Sequence, residues 1–289
     1  VGGGLRIGER GGSTGVYTIS GGALTTAGLY VGAGGKFRMA HPSAAVTVTE
    51  VLSLGPGSTF EAVYGTEIHM AGADLINRST DWMKLATSGN LTLIFEGGMA
   101  DVSTFEVAGW DWGPVPEAYL FNITLETLQL GGAAPGRIRL VDDFDNMPGE
   151  AEALYVRRLV LNEGACIELN GLNLYYLDDG GQPRQFFVGD ANLDGQVGIA
   201  DLVALAENYG ITQDALWARG DFNGDLAVGI ADLVALADHY GCGAGGTVSP
   251  PPVPEPTALA LLTSAGIATL LRRRRRSDTR KTGTVENRQ

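Results

Sequence analysis

Basic residues are scarce along most of this chain. Of the 20 lysines and arginines, eight fall in residues 272–289 beside two acidic residues, which leaves residues 1–271 at a formal charge of −19 against −13 for the whole. Duplex nucleic acid is held by Lys and Arg that neutralise phosphates, so so acidic a body excludes it as a partner. Cysteine is nearly absent: Cys166 and Cys242 stand far apart and outside any CxxC pattern. That excludes a zinc knuckle and a disulfide framework, and leaves two unrelated thiols or one bridge. The three histidines, His41, His69 and His239, show neither metal-ligand nor triad spacing. No nucleophile elbow or phosphate loop occurs. Nor is there an uninterrupted apolar run of about 20 residues, the length that spans a bilayer. The chain opens at Val1 with no charged-then-apolar leader, and is read as a fragment or processed product.

Glycine, in contrast, is abundant: 43 residues, most of them before residue 136, alternate with short apolar runs. Within these runs a unit recurs as LRIG from Leu5, LYVG from Leu29 and LSLG from Leu52, with starts 24 and 23 residues apart. A period of that length marks stacked rungs, none of which buries its apolar face without its neighbours. Inside each unit apolar and polar residues alternate, as at Tyr17 and Ile19 against Thr18, or Val46 and Val48 against Thr47. That is strand periodicity. LQLGG from Leu128 and LVLNEGACIELNG from Leu159 repeat the signature. Residues 1–187 are therefore expected to form a parallel β-helix or β-solenoid, with a β-sandwich as the alternative. The region resembles the β-helical passenger domains of exported bacterial proteins. Residues 74–148 break the repeat, with aromatics at Trp82, Trp110, Trp112 and Phe121 and the acidic group Asp142, Asp143 and Asp145, and read as an insertion on one face or a cap.

The most informative segment is a duplication. GDANLDGQVGIADLVALAENYG (residues 189–210) returns 31 residues later as GDFNGDLAVGIADLVALADHYG (residues 220–241), and ten consecutive residues from Val197 are identical to ten from Val228. Side-chain oxygens fall at positions 1, 3, 5 and 12 of a twelve-residue loop: Asp190, Asn192, Asp194 and Asp201, then Asp221, Asn223, Asp225 and Asp232. A calcium ion takes six to eight oxygens, and this spacing wraps them around one centre, with a backbone carbonyl from position 7, here Gln196 and Ala227. Each loop leads into a short amphipathic helix whose apolar positions Leu202, Leu205 and Tyr209 recur as Leu233, Leu236 and Tyr240, stripes expected to be buried together. Gly210 and Gly241 sit where a helix C-terminus takes a left-handed residue.

Residues 188–243 resemble a type I dockerin, a module of two calcium loops each followed by one helix. The resemblance implies two calcium ions held by the residues just named. Two departures matter. Leu226 replaces glycine at position 6 of the second loop, where a sharp turn favours positive φ, so the second site is expected to be the weaker. The helix starts carry Ile199, Ala200 and Ile230, Ala231 in place of the Ser-Thr pairs that recognise cohesin, which argues against a cohesin partner.

A Pro/Gly linker, residues 244–252, precedes Pro254, Glu255 and Pro256, a 15-residue apolar run, five arginines (together residues 253–276) and a polar tail, residues 277–289. This arrangement resembles the PEP-CTERM sorting signal. The resemblance implies export, transient membrane tethering, cleavage by an exosortase-type protease and release to the cell surface or medium, as when a lipid-anchor signal tail is removed. A stable membrane anchor is the alternative. The expected fold class is thus mostly β: a β-solenoid, a small all-α dockerin-like calcium module and a hydrophobic sorting helix. The expected role is non-catalytic, in adhesion or surface structure, with exopolysaccharide or another surface protein as partner. The alternative is a polysaccharide lyase or glycoside hydrolase, with acids drawn from Glu96, Asp101, Glu106, Asp111 or Asp142, Asp143 and Asp145.

Overall fold

A computed structural model describes residues 3–9, 13–85 and 90–243. The linker, the Pro254, Glu255, Pro256 motif and the segment after it lie outside the described residues. Within these bounds the chain is mostly β, with a curled, parallel-rich sheet and two α-helices. No described helix is long and apolar enough to cross a membrane.

The recurring tetrapeptides pair with one another. Leu5 lies opposite Leu29, Leu29 opposite Leu52, and Leu52 opposite Leu75, all in parallel register. Farther along, Leu93 pairs with Leu128 and Leu128 with Leu159. Parallel in-register pairing brings like residues into ladders, and the inward members, among them Leu29, Leu52, Leu93 and Leu128, are buried. A second, three-stranded sheet of Gly15–Ile19, Gly35–Met39 and Thr59–Ala62 stacks Tyr17 on Phe37 and packs Phe37 against a tilted Phe60, with ring centroids 5.8 and 5.7 Å apart. Such cross-strand aromatic pairs each add a few tenths to about 1 kcal/mol. Outward positions carry paired charges instead, as where Arg139 Nε meets Glu168 Oε2 at 2.6 Å from directly opposite positions.

The large sheet curls because its longest strand serves two neighbours. In Ala44–Leu54, residues 45–48 pair with Thr66–Met70 and residues 51–54 with Asp74–Asn77. A bulge between Thr26 and Gly28 in the preceding strand Gly22–Val31 lets it follow that bend. Residues 74–148 do not form an added face or cap. They supply Asp74–Asn77, Leu91–Phe95, Ser103–Glu106, Thr124–Leu130 and Arg137–Val141 to the same sheet. Their spacing departs from the opening period, as Leu75 to its partner Phe105 and Leu93 to Leu128 show. Gly109–Trp110 pairs antiparallel with the strand Glu152–Leu161, and the rings of Trp110 and Trp112 stack at 5.6 Å.

Helix α1 (Ile199–Asn208) and helix α2 (Ile230–His239) follow the duplicated loops. Leu205 and Leu236 are buried and Leu202 and Leu233 half-buried, but Tyr209 and Tyr240 are exposed. Both tyrosines have left the helix: ψ is 129° at Tyr209 and 126° at Tyr240. The helical phase that would have carried them inward ends one residue earlier. Gly210 and Gly241 follow with φ of 93° and 89°, the left-handed conformation their positions require.

Candidate functional site

Both loops are organised around the carboxylates at positions 1 and 12, and the second repeats the first nearly bond for bond. Asp190 accepts N–H bonds from Asp194 (3.1 Å) and Gly195 (2.8 Å), and Asp221 accepts them from Asp225 (3.1 Å) and Leu226 (3.0 Å). Asp201 accepts from Ala191 N (2.8 Å) and Gly198 N (2.7 Å), and Asp232 from Phe222 N (2.9 Å) and Gly229 N (2.9 Å). The last bond in each set joins the third helical residue to the residue before the helix. It is half of a capping box, and Gly198 and Gly229 lack the side chain that would return it. Asn192 and Asn223 accept from Asp194 N and Asp225 N, and Asp194 and Asp225 accept in turn from Gln196 N and Ala227 N at 2.9 Å.

Glycine at position 6 of the first loop has φ of 82°, and Leu226 at the same place has φ of 69°. The second loop thus keeps the left-handed turn although its residue carries a Cβ, a conformation costing about 1–2 kcal/mol for an L-residue.

Electrostatically the loops are unbalanced. Asp190, Asp201, Asp221 and Asp232 are all buried, and none takes part in an ion pair with a Lys, Arg or His among the described residues. Burial, with the neighbouring aspartates adding to it, pushes the carboxyls of Asp190 and Asp221 up to about 6 against the pull of their backbone N–H bonds. Buried carboxylates persist as anions where a cation or metal meets them. The set at each loop, three carboxylates and an amide, is all oxygen and lacks nitrogen or sulfur, the donor chemistry of calcium. Among the described residues, no three His, Cys, Asp or Glu side chains already close on one point as a metal group; here the carboxylates face the loop's own N–H groups.

The loops are locked to each other by a reciprocal exchange. Val197 of the first loop donates to Cys242 O (3.0 Å) and accepts from Gly241 N (2.8 Å), beyond α2. Val228 of the second donates to Ile211 O (2.9 Å) and accepts from Gly210 N (2.9 Å), beyond α1. Trp217, between the repeats, donates its indole N–H to Asp190 O at 2.7 Å and packs on Phe186 and Phe222 at 5.2 and 5.1 Å. Its position between two loops gives no local pattern in the sequence.

Both loops also press on the last turns of the β region. Arg137 donates to Gly224 O at 3.3 Å, and a methyl group added at Gly224 would lie 2.9 Å from Cys166 Cβ and from Gly164 O. On the first loop, Tyr176 OH lies 3.5 Å from Asp190 Oδ2. A cleft of about 400 Å³, lined by Arg158, Tyr176, Asp178, Arg184, Asn192 and Asp194 among others, separates that loop from the sheet. Cys166 is buried, Cys242 is half-buried, and the two are not bridged.

Of the acids of the enzymatic alternative, Glu96 and Asp111 are engaged separately, whereas Asp142 and Asp143 lie near enough to Glu106 to add to the rise that burial gives its carboxyl. Glu96 bonds His69 Nδ1 (2.8 Å) and Ala133 N (3.0 Å), and Asp111 accepts from Tyr175 OH (2.8 Å) and Asn173 Nδ2 (2.7 Å). Glu106 is buried and accepts from Phe144 N at 2.8 Å. No protein-family model, curated protein or solved structure matches the chain.

Proposed function

We propose that the chain is a non-catalytic, exported surface or matrix protein, in which a β-solenoid (residues 1–187) is closed by a dockerin-like module (residues 188–243) that binds two calcium ions. The observation that carries this reading is the duplicated pair of loops, each with two buried aspartates and no basic partner. Calcium supplies the missing positive charge. Asp190, Asn192, Asp194 and Asp201 with the Gln196 carbonyl would hold one ion, and Asp221, Asn223, Asp225 and Asp232 with the Ala227 carbonyl the other. The acidic body and the parallel ladders suit a surface role in adhesion toward exopolysaccharide or another surface protein. The terminal segment, read as a PEP-CTERM signal, supplies the route: tethering, cleavage near Glu255 by an exosortase-type protease, and release.

The test is a calcium titration of the full chain by calorimetry beside a Asp190→Ala, Asp221→Ala double variant. Saturable binding in the parent that is lost from both loops in the variant supports the reading. Equal heats from both proteins would falsify it.

A further inference from the structure

The segment from Asp142 to Glu152 builds a second all-oxygen environment, away from the duplicated loops. Asp142, Asp143 and Asp145 are exposed, whereas Asn146 and Glu152 are 1% and 3% exposed. Asn146 donates through Nδ2 to Asn77 O (3.1 Å) and Ser79 O (2.8 Å). Those two carbonyls fix which way the amide faces. Its Oδ1 is left buried without a hydrogen-bond partner. Glu152 spends Oε1 on Met147 N at 2.8 Å, and its Oε2 is likewise buried without a partner. Asn146 and Met147 are adjacent, so the two bare oxygens belong to groups gathered about one short stretch of backbone.

A buried acceptor left unsatisfied costs about 1–3 kcal/mol, and more when charged. Two of them in one turn require a donor or a cation. No ion pair among the described residues reaches Glu152, and Arg78 is committed to the Phe144 ring, 4.1 Å from its centroid. Asp142 and Asp145 lie close enough to Glu152 to add negative potential there.

We propose that the turn formed by residues 142–152 is a further binding site for a hard divalent cation of the calcium class, with Asn146 Oδ1 and Glu152 Oε2 as its inner ligands and Asp142 and Asp145 closing it from solvent. Oxygen-only donors exclude the softer transition metals as preferred occupants. An irregular turn with two fixed protein oxygens favours calcium over magnesium, which demands near-octahedral geometry. The site is independent of the duplicated loops.

Equilibrium dialysis of the full chain against calcium tests this with Glu152→Gln, a variant of equal shape. Its amide N–H can donate to the Asn146 oxygen, so the fold is preserved, as circular dichroism checks. Expected is one bound calcium fewer per chain than the parent, in wild-type loops and in the Asp190→Ala, Asp221→Ala background alike. An unchanged calcium number, with a stability gain from the new hydrogen bond, overturns the proposal and leaves a proton or a water as the occupant. A second variant, Asp142→Asn with Asp145→Asn, alters only exposed side chains and should weaken this site about tenfold through lost ligand charge. Unchanged affinity there also counts against it.

Discussion

Gly195 and Leu226 hold the same turn in the two loops, at φ of 82° and 69°. Each donates its backbone N–H to the position-1 aspartate, at 2.8 and 3.0 Å. Two positions earlier the exchange is reversed, with Leu193 at φ of 54° and Gly224 at 67°, so each loop carries one left-handed leucine.

On the proposed calcium reading, the leucine in each loop costs about 1–2 kcal/mol, so backbone strain should leave the two affinities within about tenfold of each other, since about 1.4 kcal/mol is a factor of ten. Calorimetry on Asp194→Ala and Asp225→Ala, each disabling one loop, compares the survivors. Leu226→Gly should tighten the second loop and Leu193→Gly the first, each by up to about tenfold. Unchanged affinity in both glycine variants would show that a left-handed leucine costs nothing.

Gly224 controls the docking of the second loop on the β region. Its φ of 67° and the 2.9 Å approach to Cys166 Cβ and Gly164 O leave no room for a side chain. Gly224→Ala should lower stability by about 1–2 kcal/mol or more from backbone strain alone. It should also expose Cys166, whose thiol burial holds above its ordinary pKa. In a Cys242→Ser background, reaction with a thiol reagent should accelerate about tenfold or more, the factor that about 1.4 kcal/mol of easier opening gives. An unaltered rate would mean that this contact does not shield the thiol.

Glu106 should make stability depend on pH. Burial against an apolar cavity of about 60 Å³ raises its carboxyl to about 7. Between its ordinary value near 4.5 and about 7, the folded chain holds a proton that the unfolded chain has lost, so stability falls as pH rises through that window. Glu106→Gln keeps an oxygen for Phe144 N and carries no charge. It should be more stable than the parent at pH 8 and show a shallower decline from pH 5 to 8 in urea unfolding. Parallel pH profiles for the two proteins would exclude Glu106 as the source.

Much of this architecture is legible in the sequence because the relevant physics is local or periodic. Leu5, Leu29 and Leu52 announce their pairing by spacing, and Asp190 to Asp201 announces a loop by the order of its oxygens. The continuation through Leu75 and Phe105 is hidden because the chain between stacked positions varies in length while the pairing does not. Tyr209 and Tyr240 fit a helical stripe that stops just before them. Asn146 and Glu152 escape pattern reading altogether: only the folded chain brings the carbonyls of Asn77 and Ser79 to the Asn146 amide and so bares its oxygen. Trp217 is similar, a lone aromatic whose partners Phe186, Phe222 and the Asp190 carbonyl come from both sides of it.

The seat of Gly224 has one more result. Strands stacked in parallel have no inherent stopping point, and the outermost member offers unpaired N–H and C=O groups to any extended chain that meets it. Here one end strand of the large sheet, Cys166–Glu168, pairs with Arg137–Arg139 on one side only. At its start, Gly224 is pressed to Gly164 O, Ala165 O and Cys166 Cβ. The loop stands beside the start of that edge, so any side chain at Gly224 would have to push it away and bare the strand's first residue to a pairing partner.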